Sequence, residues 1–361
     1  MFLALRDLRV ARSRFALVGL VIALVALLTT LLSGLASGLV DDGISGLRGL
    51  PLTHLALQPG SQSSFSRSNL TDKNLEPFRQ SEGIEVSPIG VSFFNAKTSH
   101  DTTIDIALFG VAPGSFLAPR EDAQAALAGE PGVVLSDAFR SQGIAVGDRI
   151  TVVGPDTTLK VLGFTYAGSY GHVDLAFSSL ETWQRLMFGD NSKGRFSAIA
   201  IKAESQSQLA ALDQAAGTET ETKEQAYAGS PGYSAETATM DLIRGFLLLI
   251  SALIVGAFFL VWTIQRTRQI GLLKALGASN AYVLKDALGQ LTIVLVASTA
   301  VGVLVAVGLG SLAGEDVPFS LRVTPVIGSA LALVVLGMVG SLIAVRRITS
   351  VDPIIALSAE S

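Results

Sequence analysis

The chain has 361 residues, with 26 Lys and Arg against 30 Asp and Glu, a net charge of −4, and 49% hydrophobic residues. Its mean hydropathy is positive, the average expected when membrane spans alternate with soluble sequence. The absence of cysteine excludes a disulfide framework, a thiolate metal site and thioether attachment of heme, and no Gly-x4-Gly-Lys-Ser/Thr phosphate loop occurs.

Residues 1–14 carry Arg6, Arg9, Arg12 and Arg14 against Asp7. An apolar run from Phe15 to Val40 follows. A signal-peptide core is only about 7–15 residues long, so this run reads as an uncleaved transmembrane helix over 15–40. Gly34 and Gly38 lie four apart in it, the small-xxx-small spacing that lets helices meet closely. They are expected to pack one first span against another.

Residues 41–232 are long enough for a domain. Thr53–Gln58 alternates with period two, as a half-buried strand does. Asp148–Val153 and Thr158–Gly163 flank the turn cluster Gly154-Pro155-Asp156 and predict a hairpin. Ser197–Lys202 predicts another strand, and Leu180–Phe188 and Ser207–Ala216 predict helices. Ser61–Asn69 reads as a Ser-rich loop, and Gln225–Gly232 as the way out of the domain. The sum is a mixed α+β domain with a small β-rich lobe around the hairpin. His54, His100 and His172 show no ligand spacing and read as surface histidines.

From Tyr233 the pattern is helical through a second apolar run, so 233–264 reads as a stalk plus transmembrane helix 2, starting near Ser234 with its hydroxyl as N-cap. Residues 265–286 form a basic, Gly-punctuated loop or helix. Two more spans follow at 287–314 and 323–345, joined by a short turn at 315–322 and followed by the tail 346–361, which opens on Arg346-Arg347. A span needs about 20 mostly apolar residues, and four runs qualify. Arginine and lysine concentrate in the N-terminal segment, in 265–286 and in the tail, while acidic residues dominate 41–244. The positive-inside rule then places both termini in the cytoplasm and the large domain outside. The fold class is therefore a membrane protein with four transmembrane helices (1+3) and a mixed α+β extracytoplasmic domain inserted between helices 1 and 2.

The segment Gln265–Ser279 carries the most specific pattern. Arg266 and Arg268 suit a headgroup surface. Ile270, Leu272, Leu273 and Leu276 supply apolar faces at helical spacing around Lys274. Gly271 and Gly277 allow close approach and a sharp exit. This stretch resembles the family pattern Arg-x-x-Glu-Ile-Gly-Leu-Leu-(Lys/Arg)-Ala-(Leu/Met)-Gly-Ala-(Ser/Thr) of ABC transporter permeases of the FtsX/MacB-like type, with Gln269 standing where the family has Glu. The C-terminal Arg346–Leu357, with Pro353, is similar to that family's ending. Residues Met1–Leu8 and Leu31–Leu39 resemble the permease of heme-efflux (heme-regulated) transporters of Gram-positive bacteria.

The resemblance implies a bacterial plasma-membrane permease subunit with no catalysis of its own. It implies a homodimer, a separate cytoplasmic ATPase that binds ATP and docks on Arg266, Arg268, Ile270, Gly271, Leu272, Leu273, Lys274, Leu276 and Gly277, and heme as the transported ligand. No intrinsic cofactor, no metal other than heme iron and no nucleic-acid partner are expected. On a helix Tyr233, Glu236 and Met240 share a face at i, i+3 and i+7, with Arg244 one turn on. Tyr, Met or an ionised Glu can approach heme iron, and Arg244 can meet a propionate. Tyr170 is a second Tyr candidate for heme. The rival readings are an exporter of another lipophilic compound, such as an antimicrobial, lipid or lipoprotein, and a signalling permease that activates a cell-wall hydrolase.

Overall fold

The computed structural model describes residues 12–99, 101–118, 126–204, 207–265, 271–272, 274–312 and 317–349. The chain divides into two compact units: Met1–Leu39 together with Thr237–Ser361, and Val40–Glu236. Helices are α1 (Arg12–Gly49), α2 (Asp72–Arg79), α3 (Leu180–Phe188), α4 (Leu209–Ala216), α5 (Lys223–Ala226), α6 (Tyr233–Gln265), α7 (Asn280–Gly310) and α8 (Val323–Thr349). Strands are β1 (His54–Leu57), β2 (Leu70–Thr71), β3 (Ile84–Thr98), β4 (Thr103–Val111), β5 (Gly132–Ser136), β6 (Arg149–Val152), β7 (Thr157–Thr165), β8 (Ser169–Tyr170), β9 (Val173–Ser179), β10 (Arg195–Phe196), β11 (Ala198–Ala203) and β12 (Glu219–Thr222).

The helical unit contains the apolar runs. Among the described residues four helices are long and apolar enough to cross a membrane: Phe15–Gly49, Tyr233–Phe258, Asn280–Gly310 and Val323–Ser341. Val18, Ile22 and Ala26 of α1 share one buried cluster with Val255 of α6, Leu291 and Leu295 of α7 and Leu333 of α8. Leu17, Leu20, Leu24 and Leu28 of α1, and Leu242, Phe246, Leu249 and Leu253 of α6, stay exposed. So the apolar residues outnumber those the protein itself covers, as a lipid-facing surface requires. Gln290, the one polar interruption of the third run, is buried and donates to Asp286 Oδ2 at 2.9 Å.

Glycines set the close approaches in this unit. A Cβ on Gly302 would stand 2.3 Å from the Ala23 carbonyl, and one on Gly340 would stand 2.6 Å from that of Ala252. Gly34 and Gly38 do something other than the sequence suggests. A Cβ on Gly34 would meet the Phe319 ring at 2.5 Å, and one on Gly38 would meet the Pro318 carbonyl at 2.1 Å. The Ser320 amide also donates to the Gly34 carbonyl at 3.0 Å. The groove left by the two missing side chains is therefore filled by the non-helical segment 317–321 of the same chain, not by another first span.

The α/β unit is built on a ten-stranded sheet of order β12-β1-β11-β3-β4-β9-β5-β7-β6, with β8 added on β9. β3 also pairs with β6 through Ala96↔Val152 and Thr98↔Ile150, so β3-β4-β9-β5-β7-β6 closes into a ring. Alternation along β4 explains both faces: Ile104, Ile106 and Leu108 join a cluster with Val133, Ile150 and Val161, while Ala107, Phe109 and Val111 join another with Leu55 and Phe177. The expected hairpin is β6–β7, paired Arg149↔Lys160 to Val152↔Thr157. The predicted helix Leu180–Phe188 is α3, capped by Ser179, whose hydroxyl accepts from the Thr182 amide. The stretch Ser61–Asn69 contains a 3-10 turn at Phe65–Arg67. Gln225–Gly232 holds the end of α5 and a second such turn at Tyr227–Gly229.

Candidate functional site

Where α1 ends and α6 begins, the α/β unit gathers several polar groups from distant parts of the chain. Strands β8 and β9 form a hairpin paired Ser169↔Asp174 and Tyr170↔Val173. Its two-residue turn is Gly171-His172, both with positive φ (59° and 60°), the backbone that such a tight hairpin demands. The Gly171 amide donates to the Gly43 carbonyl at 2.8 Å, and the Ser230 hydroxyl donates to the same carbonyl at 2.7 Å. Ser169 Oγ donates to the carbonyl and carboxylate of Asp42.

The turn presents His172 between two carboxylates. Its Nδ1 lies 3.1 Å from Asp42 Oδ2 and its Nε2 lies 2.9 Å from Glu236 Oε1. Burial alone lowers the His172 pKa, but hydrogen bonds and charge from Asp42 and Glu236 outweigh it, so the net shift is upward. When protonated, His172 holds Glu236 through a charge-assisted contact. Asp42 and His172 are site residues that the sequence pattern missed. The only local signal was a Gly-His pair, since Asp42 and His172 are 130 residues apart.

The residues expected to meet heme fall as follows. Glu236 is half-buried and held by His172. Tyr233 is partly buried, packs on the main core cluster and tilts against Tyr227 at 6.3 Å, so its ring is a packing element. Tyr170 is corrected outright. It is 2% exposed, lies edge-on to Phe65 and Phe109, and burial raises its phenol pKa far above the usual value. It therefore stays protonated and makes a poor phenolate ligand for iron. In the helical unit, Met240 is half-buried. Arg244 Nη2 donates to the Ser33 carbonyl at 3.3 Å and Nη1 pairs with Asp241 at 3.4 Å.

Other expectations change as well. The Ser234 hydroxyl donates to the Ala228 carbonyl at 3.5 Å rather than capping α6, which starts at Tyr233. His54 is buried, and its Nδ1 meets Thr53 Oγ1 at 2.9 Å. Desolvation lowers its pKa, only partly opposed by Glu224. It is not a surface histidine. His100 lies outside the described residues.

Of the loop that follows α6, Arg266, Arg268, Ile270 and Leu273 lie outside the described residues. Gly271, Leu272, Lys274 and Ala275 are helical. The Leu276 amide donates to the Leu272 carbonyl at 3.0 Å, and the Gly277 amide to that of Lys274. Gly277 then takes a φ of +95°, which only glycine adopts cheaply. Ser279 caps α7 through the Tyr282 amide. Leu272 and Leu276, one turn apart, are 53% and 78% exposed, so this short turn shows two leucines to its surroundings.

With this geometry in hand, residues 242–353 match the family FtsX-like permease C-terminal. The C-terminal part of the chain is thus similar to FtsX-like permeases. A relative from Staphylococcus haemolyticus (strain JCSC1435), named hemin transport system permease protein HrtB, is 22% identical over 361 residues, covering 99% of both chains. One of the same name from Staphylococcus epidermidis (strain RP62A) is 23% identical over 225 residues, 62% of this chain. That match spans 63% of the relative's own length. Among solved structures, the extracellular domain of the noncanonic ABC-type transporter YknZ from Gram-positive bacteria aligns with 47% of this chain and 98% of its own, with 16% identity and a TM-score of 0.34.

Proposed function

We propose that this chain is the membrane subunit of an ATP-driven ABC exporter, that it works as a homodimer with a separate cytoplasmic ATPase, and that its cargo is heme taken from the bilayer for detoxification. The plasma membrane, with both termini in the cytoplasm and the α/β unit outside, is the setting this reading requires. One observation carries it: α6 bears Glu236, Met240 and Arg244 at successive i, i+4 steps, and Glu236 is already engaged by a partner that can let it go, His172. The full-length similarity to hemin transport permeases supports the same cargo.

The chemistry is competitive. A carboxylate is a hard oxygen donor suited to ferric iron, the Met240 thioether is a weaker axial donor, and an arginine can take a propionate in paired hydrogen bonds. While His172 is charged, it competes with iron for Glu236. At the other end of α6, Leu272 and Leu276 offer the ATPase an apolar foothold beside Lys274. Closing of the ATPases would then move α6 and expel the cargo outward.

The test is a hemin titration of the protein in lipid nanodiscs, read at the Soret band. Glu236→Ala and Met240→Ala should each weaken binding at least about tenfold, a loss of about 1.4 kcal/mol. His172→Ala should tighten it. A spectrum of lipid-dissolved hemin in the wild type, unchanged by every variant, would remove heme from the proposal.

A further inference from the structure

A second site lies within the α/β unit, built from residues that the heme reading does not use for iron. Phe65, Phe93, Tyr170, Trp183, Phe188 and Phe196 line an open cavity of about 450 Å³, inside the range of small-molecule sites. The rings are ordered. Phe93 lies nearly parallel to Tyr170 (14°, centroids 5.9 Å apart), Phe65 meets Tyr170 edge-on at 5.8 Å, and Phe188 meets Trp183 edge-on at 5.7 Å. Phe93 and Met187 remain 43% and 42% exposed, so two large apolar side chains at this cavity are left half open.

The polar groups say what the ligand must offer. Trp183 Nε1 donates to Ser92 Oγ at 3.1 Å and is satisfied. The Tyr170 hydroxyl is buried and, among the described residues, has no partner. A buried donor left unpaired carries a standing desolvation cost that an incoming acceptor would relieve. Among the described residues the lining holds no charged side chain, and its polar members besides Tyr170 and Trp183 are Ser and Asn.

We propose that this cavity binds a neutral, planar aromatic molecule of a few fused rings, with one hydrogen-bond acceptor that meets the Tyr170 hydroxyl. The aromatic walls favour a flat ligand through offset and edge-on ring contacts. The site is separate from Glu236 and Met240, so it stands whether or not heme is the cargo.

The experiment uses the full chain in lipid nanodiscs with Trp262→Phe, which leaves Trp183 as the sole tryptophan. Acridone, neutral, tricyclic and carrying one carbonyl, is titrated while energy transfer from Trp183 is followed. Saturable transfer is expected. Tyr170→Phe keeps the ring, removes the donor and should weaken binding about tenfold. Ser66→Phe, at an exposed position of the lining, should abolish saturation by filling the mouth. Thermal unfolding of both variants checks that the domain is intact. A linear, identical transfer in all three proteins means dye in the bilayer only and overturns the proposal. Saturable binding that Tyr170→Phe does not weaken overturns it too.

Discussion

Gly90 and Gly110 face each other across β3 and β4, and Trp183 lies on both. A Cβ on Gly90 would stand 2.3 Å from the indole ring, and one on Gly110 would stand 2.3 Å from the Trp183 Cβ. Neither contact can be relieved by a flexible tip, because the obstacle is a rigid ring or its stem. Gly110→Ala should therefore cost about 1–3 kcal/mol, the usual price of overpacking, measured by urea unfolding. Combining Gly90→Ala, whose clash is with the indole ring itself, with Trp183→Leu should cost less than the sum of the two single changes, because the ring is gone in the double variant. His172 gives a prediction of a different kind. Its folded-state pKa is raised above the ordinary 6.5, so its contribution to stability is complete below that value and is lost as pH rises through the folded-state value. In His172→Ala this pH-linked loss should disappear from a series of melts between pH 5 and 9. Hemin affinity should change the opposite way over the same range, rising as neutral His172 releases Glu236.

At the scale of elements, the turn Gly271–Gly277 and helices α1 and α6 show what a local pattern contains. The helix Leu180–Phe188 and the hairpin β6–β7 were legible because cap, turn and periodicity all lie within a few residues of one another. Exit through Gly277 was legible for the same reason, and its φ of +95° bears it out. The pair Gly34 and Gly38 announced a close approach but not the partner. What fills that groove, Pro318 and Phe319, lies some 280 residues away in the chain, and no spacing within α1 encodes it. The same limit hid the grip of His172 on Asp42 and Glu236. The docking role of Leu272 and Leu276 can be tested on the element itself. Replacing both with Glu leaves the helical turn intact, since Glu is a good helix former, but removes the apolar contact. ATPase stimulation in the co-reconstituted complex should fall at least about tenfold, roughly 1.4 kcal/mol of coupling, while hemin binding to the permease alone stays unchanged. Unaltered stimulation would assign docking to another surface.

Across the whole molecule, burial respects the division into two units. Among the described residues, the buried members of the cluster that joins α1, α6, α7 and α8 run from Phe15 to Ala26 and from Val255 to Leu333. The buried members of the other three clusters run from Ile44 to Tyr227. A unit with its own closed strand ring and its own cores meets the physical requirement for independent folding. Its two ends are fastened within it: Ile44 and Leu47, from the last turns of α1, are in its main cluster, and the hairpin turn binds Gly43 by backbone and Glu236 by side chain. The fragment Val40–Glu236, expressed without the apolar helices, should therefore be soluble and should unfold in one cooperative step in urea. Its stability should fall as pH rises through the raised His172 value, because Asp42, His172 and Glu236 are all retained. Truncation to residues 50–230 removes Asp42, Ile44, Leu47 and Glu236 together, and should abolish that pH dependence and lower the urea midpoint. Equal midpoints for the two fragments would mean that the ends of α1 and α6 are passive attachments, and that the clasp holds nothing in the folded unit.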